Sequence, residues 1–243
     1  MNVQIKFGKP GNYDYDMLLD QFGITKINSF KTSSIPLVQF WKDTEKRLTE
    51  VEANLHLQLN HPVLCFEYPT APAQGKGGSS MTDLMILSDE NKIAIEAKYT
   101  EYEKMPVETV AQWLQEGNSI ENKEKVLQGW WSMIAPFRAG TSTPDTMGYQ
   151  FLHRTASACQ NTKQAVVIYQ LFYDNETLPF LAAYKKLLAG YVAMVNPNEN
   201  LKFYTWEIET KLLVPDDIKE QKPFVIMKRK PVYEFGATVF AKL

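Results

Sequence analysis

The sequence predicts an α/β fold in which a mixed β-sheet is covered by helices on both faces. Three observations favour this class. A long amphipathic pattern precedes three short apolar runs, helical patterns then alternate with further apolar runs, and no repeat or low-complexity linker divides the chain. With 243 residues, 44% of them hydrophobic, the chain can bury one large core. We therefore expect a single domain over residues 1–243, built as a three-layer αβα sandwich.

The first half of the chain is predicted to contain one helix and three strands. Residues 37–59 carry apolar side chains at helical intervals, which indicates an amphipathic helix. The run VLCFEYPT at 63–70 is typical of a strand, and the Gly- and Ser-rich residues 71–80 are typical of a loop. Two apolar runs, Met81 to Leu87 and Lys92 to Tyr99, flank the turn sequence SDEN and so predict a β-hairpin.

The second half is predicted to alternate helices with strands. A short helix should run from Pro106 to Gly117, because proline favours the first turn of a helix and glycine its end. We expect the segment at about 102–147 to be a helical insertion that shapes a substrate groove. The remaining elements are predicted to be helices at 119–137, 148–160 and 178–192, strands at 164–173 and 201–209, and an extended segment at 224–230.

Composition excludes several classes of protein. A formal net charge of −2 and a pI near 6.0 argue against a protein that coats nucleic acid nonspecifically, since that requires a broad basic surface. Cys65 and Cys159 stand apart, and the three histidines do not combine with them at zinc-ligand spacings. The sequence shows no signal peptide and no long membrane span. We expect a cytoplasmic protein without structural zinc and without a membrane partner.

The predicted hairpin carries charges that need an explanation. If the turn is centred within SDEN, Leu87 faces Lys92 and Asp83 faces Glu96. Directly opposed carboxylates repel each other, and strand alternation puts Lys98 on the same face as Glu96. Two acidic groups and one ammonium would then meet at one end of a buried hairpin. A hard divalent cation is the natural partner, and Mg²⁺ typically takes one or two carboxylates and keeps several waters.

At these residues the sequence resembles the PD-(D/E)xK nuclease superfamily. The superfamily signature has an aspartate at the start of one hairpin strand, here Asp83, and (Asp/Glu)-x-Lys at the end of the other, here the EAK of Glu96 to Lys98. Thr82 stands where the signature has proline. The resemblance implies a restriction-endonuclease-like fold with a core similar to Holliday-junction resolvases. It also implies a metal held by Asp83, Glu96 and the backbone carbonyl of Ala97.

The same resemblance implies a glutamate from the first helix and a polar residue from a later helix. Glu52 and Glu45 both flank the apolar stripe of the helix predicted at 37–59, and we favour Glu52 for its distance to the next strand. Glu45 remains the alternative. Gln150 is the best match on the later helix, and Arg154 is the expected phosphate contact because its guanidinium binds bidentately.

We expect a Mg²⁺-dependent phosphodiesterase, a deoxyribonuclease, in which Mn²⁺ can substitute. Asp83, Glu96, Lys98 and Glu52 would form the catalytic set, with Lys98 remaining an ammonium and orienting the water. One alternative is a non-catalytic member of the same fold that binds nucleic acid or a protein. Another is a metal-dependent phosphoesterase acting on a small phosphorylated molecule. The sequence favours neither a monomer nor a homodimer.

Several other residues are interpreted structurally. Trp113, Trp130 and Trp131 are expected in the core rather than as stacking platforms for bases. Lys92 is expected to add to a local positive field. Glu67 lies either near the metal or at the end of the sheet, and the sequence leaves both open.

Overall fold

The central feature of the computed structural model is one mixed β-sheet. The structure describes residues 3–8, 11–24, 29–104, 107–117, 119–214 and 222–243. Within these ranges the strands are β1 (Gln4–Phe7), β2 (Val63–Thr70), β3 (Ser80–Leu87), β4 (Asn91–Lys98), β5 (Gln164–Tyr173), β6 (Leu201–Leu212) and β7 (Tyr233–Lys242). They lie side by side in chain order. β1 pairs with β2, β4 with β5 and β5 with β6 in parallel, whereas the other neighbours are antiparallel.

Helices cover both faces of this sheet. In chain order they are α1 (Tyr15–Ile24), α2 (Ser34–Phe40), α3 (Thr44–Leu55), α4 (Val110–Gln115), α5 (Ile120–Ile134), α6 (Tyr149–Cys159), α7 (Leu178–Val195) and α8 (Pro223–Met227), with 3₁₀ turns at Thr100–Lys104 and Ala135–Phe137. Helices α1, α2, α3 and α8 pack on one face, named the α3 face. Helices α4 to α7 pack on the other, named the α6 face. The predicted α/β class, a mixed sheet flanked by helices, is confirmed.

The β3–β4 hairpin has the predicted register, with Met85 opposite Ala94. Leu84 and Ile95 are the last residues that pair in the backbone ladder, so Asp83 and Glu96, which come next, are not a ladder pair. The Asp83 carboxylate instead accepts a hydrogen bond from the Ala97 N–H at 2.7 Å. The two strands therefore separate at the end of the hairpin that carries Asp83 and Glu96.

The helix predicted at 37–59 is two helices. Helix α2 ends at Phe40 and α3 begins at Thr44, because Asp43 caps α3 by accepting a hydrogen bond from the Lys46 N–H. An aspartate competes with the helix for backbone hydrogen bonds and so favours a cap over a helix interior. Helix α3 ends early, at Leu55, where His56 takes a left-handed conformation with φ of +52°.

The segment at 224–230 was predicted to be extended, and this is wrong. Residues Pro223–Met227 form α8, with proline in its first turn, where its missing N–H costs nothing. The last strand, β7, lies further along and was not predicted. Buried and exposed side chains alternate only weakly along β7, because it is an edge strand with a bulge against β6 and many exposed side chains. Pro106, the predicted start of the helix that became α4, lies outside the described residues.

One described helix could cross a membrane by length and composition alone. This is α7, whose 18 residues have a mean hydropathy of 1.3. Core helices of globular proteins meet the same criterion. The buried side chains of α7 are Leu181, Tyr184, Leu188, Tyr191 and Val195.

Candidate functional site

Charged side chains gather on the α6 face where β3 and β4 separate. Alternation along β4 places Ile95 in the apolar layer of the α3 face and turns Glu96 and Lys98 to the α6 face. Helix α6 packs over this region and carries Gln150 and Arg154, which lie four residues apart and so share one side of the helix. Both contact Glu96. We call Asp83, Glu96, Lys98 and Arg154 the charged cluster.

Glu96 is the centre of this cluster and is 2% exposed. Its Oε1 accepts hydrogen bonds from Lys98 Nζ at 2.7 Å and from Gln150 Nε2 at 2.8 Å. Its Oε2 accepts from Arg154 Nε. Burial alone would raise the pKa of this carboxyl, but Arg154 and Lys98 lower it to about 2. Glu96 is therefore ionised at neutral pH and bound to two cations.

Asp83 behaves in the opposite way. Burial and the negative charge of Glu96 raise the pKa of Asp83 to about 8, against the opposing effects of Arg154 and Lys98. In the metal-free protein Asp83 thus holds its proton to a higher pH than an ordinary aspartate. Neighbouring carboxyl groups whose pKa values are driven apart are characteristic of sites that do chemistry, although structural ion pairs produce the same pattern.

Lys98 stays charged. Burial alone would lower the pKa of its ammonium, but Glu96 and, to a smaller extent, Tyr184 and Asp83 raise it above its ordinary value. This agrees with the expectation from sequence that the adjacent carboxylates favour the ammonium. A permanently protonated amine cannot act as a general base at neutral pH.

Arg154 is held by a second set of contacts. Its Nη1 donates to Ser80 Oγ at 2.6 Å, and Ser80 Oγ lies 2.7 Å from His153 Nδ1. Burial and the Arg154 charge lower the pKa of His153 to about 3, so this ring is neutral. The Ser80 hydroxyl thus connects Arg154 to the neutral ring of His153. The sequence did not single out Ser80, because a serine in a Gly- and Ser-rich loop carries no distinct signal.

Glu67 joins the same region. It has a φ of +50°, a conformation that costs a non-glycine residue about 1–3 kcal/mol. The β2–β3 ladder skips the pair of Glu67 with Asp83. Burial raises the pKa of Glu67, Arg154 lowers it and Glu96 raises it again, so Glu67 lies within electrostatic range of the cluster. Glu67 therefore lies opposite Asp83 in the interior of β2 and not at the end of the sheet.

The charged cluster lies in a cavity of about 710 Å³. Its wall includes Asp83, Glu96, Lys98, Arg154, Gln150, His153, Ser33, Glu101, Val107, Glu108, Trp113, Tyr149 and Tyr184. Trp130 and Trp131 are buried, as predicted. Trp113, predicted to be a core residue, lines this cavity and stacks on Tyr149 with ring centroids 3.9 Å apart.

The structure does not bring Glu52 to this cavity. Its carboxylate accepts a hydrogen bond from the Leu59 N–H at 2.7 Å. Leu59 precedes β2 at the end of the sheet away from Asp83. Helix α3 also packs on the opposite face, through Leu48 and other apolar residues. The alternative, Glu45, is exposed on the same helix. The expected glutamate from the first helix is therefore missing from the site.

Lys92 was expected to add to a positive field at the site, but its side chain is buried elsewhere. It is 5% exposed, its Nζ donates to the Gln160 carbonyl at 3.2 Å, and it lies over the Tyr68 ring. Burial lowers the pKa of this amine to about 8. Lys92 is thus a packed residue and no part of a phosphate-binding surface.

The residues of the cluster supply only part of the ligands that a magnesium ion requires. Asp83 and Glu96 supply two carboxylates in one cavity, and the hydrogen bond from Ala97 keeps that peptide beside Asp83. However, both oxygens of Glu96 already accept hydrogen bonds. In the part of the chain that the structure describes, no three His, Cys, Asp or Glu residues are grouped closely enough to hold an ion. An ion here would need water ligands and the release of one Glu96 oxygen.

Comparison with known proteins identifies a family and no close relative of known function. No curated protein and no solved structure matches the chain. The family described as "Domain of unknown function (DUF6946)" matches residues 15–214, a span from the start of α1 to just past β6 that includes the whole charged cluster. The chain belongs to this DUF6946 family.

Proposed function

We propose that this protein is a metal-dependent phosphodiesterase that cleaves nucleic acid, with DNA as its substrate and Mg²⁺ or Mn²⁺ as its metal ion. One observation carries the proposal. Asp83, Glu96 and Lys98 meet at the open end of one hairpin, and Gln150 and Arg154 contact Glu96 from α6. The resemblance to PD-(D/E)xK nucleases implies this same grouping.

Each residue has a role that follows from its contacts. Asp83, Glu96 and the carbonyl of Ala97 would hold the ion, which would supply a water of lowered pKa and polarisation of the phosphodiester. Lys98 orients that water and neutralises charge that develops on the phosphate oxygens. Arg154, whose guanidinium Ser80 keeps in place, binds the phosphate. Gln150 fixes the orientation of Glu96 through its hydrogen bond.

The fold agrees with this proposal as far as the order of elements goes. Strand β2, the β3–β4 hairpin, α6 and β5 follow one another as the resemblance implies, and we infer a restriction-endonuclease-like core. The helices α4 and α5 would be the insertion that shapes the substrate groove. That the protein acts in the cytoplasm and has no membrane partner stays a prediction from sequence.

Two alternatives each have one observation in their favour. Glu96 is neutralised by Lys98 and Arg154 without a metal, which suits a non-catalytic member of the fold that binds nucleic acid or a protein. The cavity of about 710 Å³ lies within the usual range for small-molecule sites, which suits a phosphoesterase acting on a small phosphorylated substrate.

A cleavage assay with four substrates separates these functions. Plasmid, single-stranded DNA, RNA and free nucleotides are incubated with the protein and Mg²⁺ or Mn²⁺. We expect cleavage of DNA by the wild type and none by Glu96→Gln. The matched control is Glu52→Gln, which removes a carboxylate outside the cavity while keeping an acceptor for the Leu59 N–H. We expect this control to cleave like the wild type.

Each other outcome names a different function. Release of phosphate from nucleotides with intact polymers would identify the small-substrate enzyme. Binding of nucleic acid without any cleavage would identify the binding module. Equal loss of activity in Glu52→Gln and Glu96→Gln would contradict the assignment of the site to the charged cluster.

A further inference from the structure

At the proposed metal site, an ion would have to compete with Lys98 for Glu96. Oε1 of Glu96 accepts a hydrogen bond from Lys98 Nζ at 2.7 Å, so a cation already occupies the position that an ion would need. A buried ammonium moved away from its carboxylate requires another acceptor, because an unpaired buried charge is strongly unfavourable. The following inference rests on the proposed function and concerns which residue supplies that acceptor.

Among the residues that the structure describes, Tyr184 has the one buried hydroxyl of the cavity wall without a hydrogen-bond partner. Across the described ranges, six buried side-chain polar atoms have no hydrogen bond, and Tyr184 is the one residue among them that lines the cavity. Its side chain is 1% exposed. The hydroxyl is therefore a buried acceptor that no described side chain uses in this structure.

Lys98 is the neighbour positioned to do this. Lys98 and Tyr184 both line the cavity. Burial raises the pKa of Tyr184, and of the charged groups that act on its hydroxyl the Lys98 ammonium has the largest effect. Tyr102 lies beside both residues: its ring centroid is 5.2 Å from that of Tyr184, and its O–H is shared between the carbonyls of Phe172 at 3.0 Å and Lys98 at 3.2 Å. An ammonium carries three donors, and Glu96 uses one of them.

We propose that Tyr184 is a positioning residue for Lys98, accepting its ammonium when Lys98 releases Oε1 of Glu96. Lys98 then has two positions. In the metal-free protein it bonds Glu96 and the Tyr184 hydroxyl has no partner. In the metal-bound protein Glu96 binds the ion, and the Tyr184 oxygen holds the ammonium in the cavity. Each position gives the Lys98 ammonium one hydrogen-bond acceptor.

Titration of Mn²⁺ by calorimetry tests this without an activity measurement. Tyr184→Phe removes only the hydroxyl, and we expect it to weaken Mn²⁺ binding by about tenfold or more, the usual effect of a hydrogen bond to a charged group. The matched control is Tyr169→Phe, because Tyr169 is also fully buried with an unpartnered hydroxyl but does not line the cavity. We expect the control to bind Mn²⁺ like the wild type. Neither variant should lower the melting temperature of the metal-free protein, since neither loses a hydrogen bond.

A double-mutant cycle identifies Lys98 as the partner. In a Lys98→Met background no ammonium competes for Glu96, so adding Tyr184→Phe should leave the Mn²⁺ affinity unchanged. An equal loss in both backgrounds would overturn the inference, because Tyr184 would then act independently of Lys98. If the wild type binds Mn²⁺ and cleaves DNA while Tyr184→Phe binds Mn²⁺ equally well, only this inference fails. If the wild type binds no Mn²⁺ at all, the proposed function fails with it.

Discussion

The two faces of strand β4 are stabilised in different ways. On the α3 face Ile93, Ile95 and Ala97 are fully buried among apolar side chains. On the α6 face Glu96 and Lys98 are almost as buried but are stabilised by ion pairs. Apolar burial is insensitive to pH, whereas a buried ion pair depends on both partners and on their ionisation. The α3 face of β4 therefore stabilises the fold by apolar packing, whereas its α6 face carries the charged side chains of the candidate site.

Removing the charge of Glu96 should give the largest loss of stability. Glu96→Gln leaves Lys98 and Arg154 as buried cations without a carboxylate, so we expect the free energy of unfolding to fall by about 3–5 kcal/mol. The folded pKa of Glu96 is about 2, below its ordinary value of 4.5. Its stabilising effect is thus present above pH 4.5 and is lost as the pH falls towards 2.

Denaturant unfolding at pH 7 and at pH 3 measures this dependence. The matched change on the other face is Ile95→Ala, which should cost about 2–5 kcal/mol at both pH values. A cost of Glu96→Gln that is the same at both pH values would show that Glu96 stabilises by packing and not by charge.

Removing Lys98 should mainly affect turnover. Lys98→Ala leaves Glu96 paired with Arg154, so the protein should fold and still bind Mn²⁺. Turnover should fall by about 10²–10³-fold, as expected for a group that stabilises charge in the transition state. Single-turnover DNA cleavage at saturating Mn²⁺ measures the effect. Loss of metal binding together with turnover would instead make Lys98 a structural part of the site.

Neutralising Asp83 should have a smaller effect, of opposite sign. The pKa of Asp83 is raised to about 8 from its ordinary 3.8, so between these values the folded protein holds a proton that the unfolded chain has lost. Asp83 therefore destabilises the fold increasingly as the pH rises from about 4 to 8. The melting temperature of metal-free Asp83→Asn should equal or exceed that of the wild type at pH 8, by about 2–4 °C for each kcal/mol of stability gained.

The difference in melting temperature between Asp83→Asn and the wild type should vanish near pH 4. Melting curves of both proteins between pH 4 and pH 8 measure it. An Asp83→Asn variant that melts lower than the wild type at pH 8 would mean that the carboxylate is ionised and favourably paired in the metal-free protein.

The smallest expected effect concerns the binding of DNA. Few cations face the cavity, so affinity should be weak and should fall with salt at a logarithmic slope of about −2 to −3. Lys76 is exposed in the loop that Asn122 anchors to α5, and Lys76→Ala should reduce the slope by about 1. Lys163→Ala, at the opposite end of the sheet beside Glu90, is the control and should change nothing. Equal effects of both variants would indicate nonspecific binding.

Local patterns in the sequence were sufficient to predict the hairpin and its charges. Strand β2 and strand β5 have the predicted bounds. Gln150, expected to point towards the metal site, contacts Glu96, and Arg154, expected to contact phosphate, pairs with Glu96. These features depend on strand alternation and helix periodicity, which neighbouring residues determine.

Contacts between distant segments could not be predicted in this way. Glu52 was expected in the site, but the face on which α3 packs is decided by tertiary contacts and not by its own periodicity. Ser80 and Tyr184 were not predicted because their roles depend on which side chains surround them. Glu67 could be placed only once its left-handed conformation and its position opposite Asp83 were known.

We propose that the charged cluster, unlike the carboxylates outside the cavity, binds a divalent metal ion. Thermal melting with and without Mn²⁺ tests it most directly, for the wild type, Asp83→Asn and Glu52→Gln, with plasmid cleavage measured on the same samples. We predict a metal-dependent rise in melting temperature and cleavage for the wild type and for Glu52→Gln, and neither for Asp83→Asn. A wild type that shows no shift with Mn²⁺ and cleaves no nucleic acid would contradict the claim and favour the non-catalytic binding module.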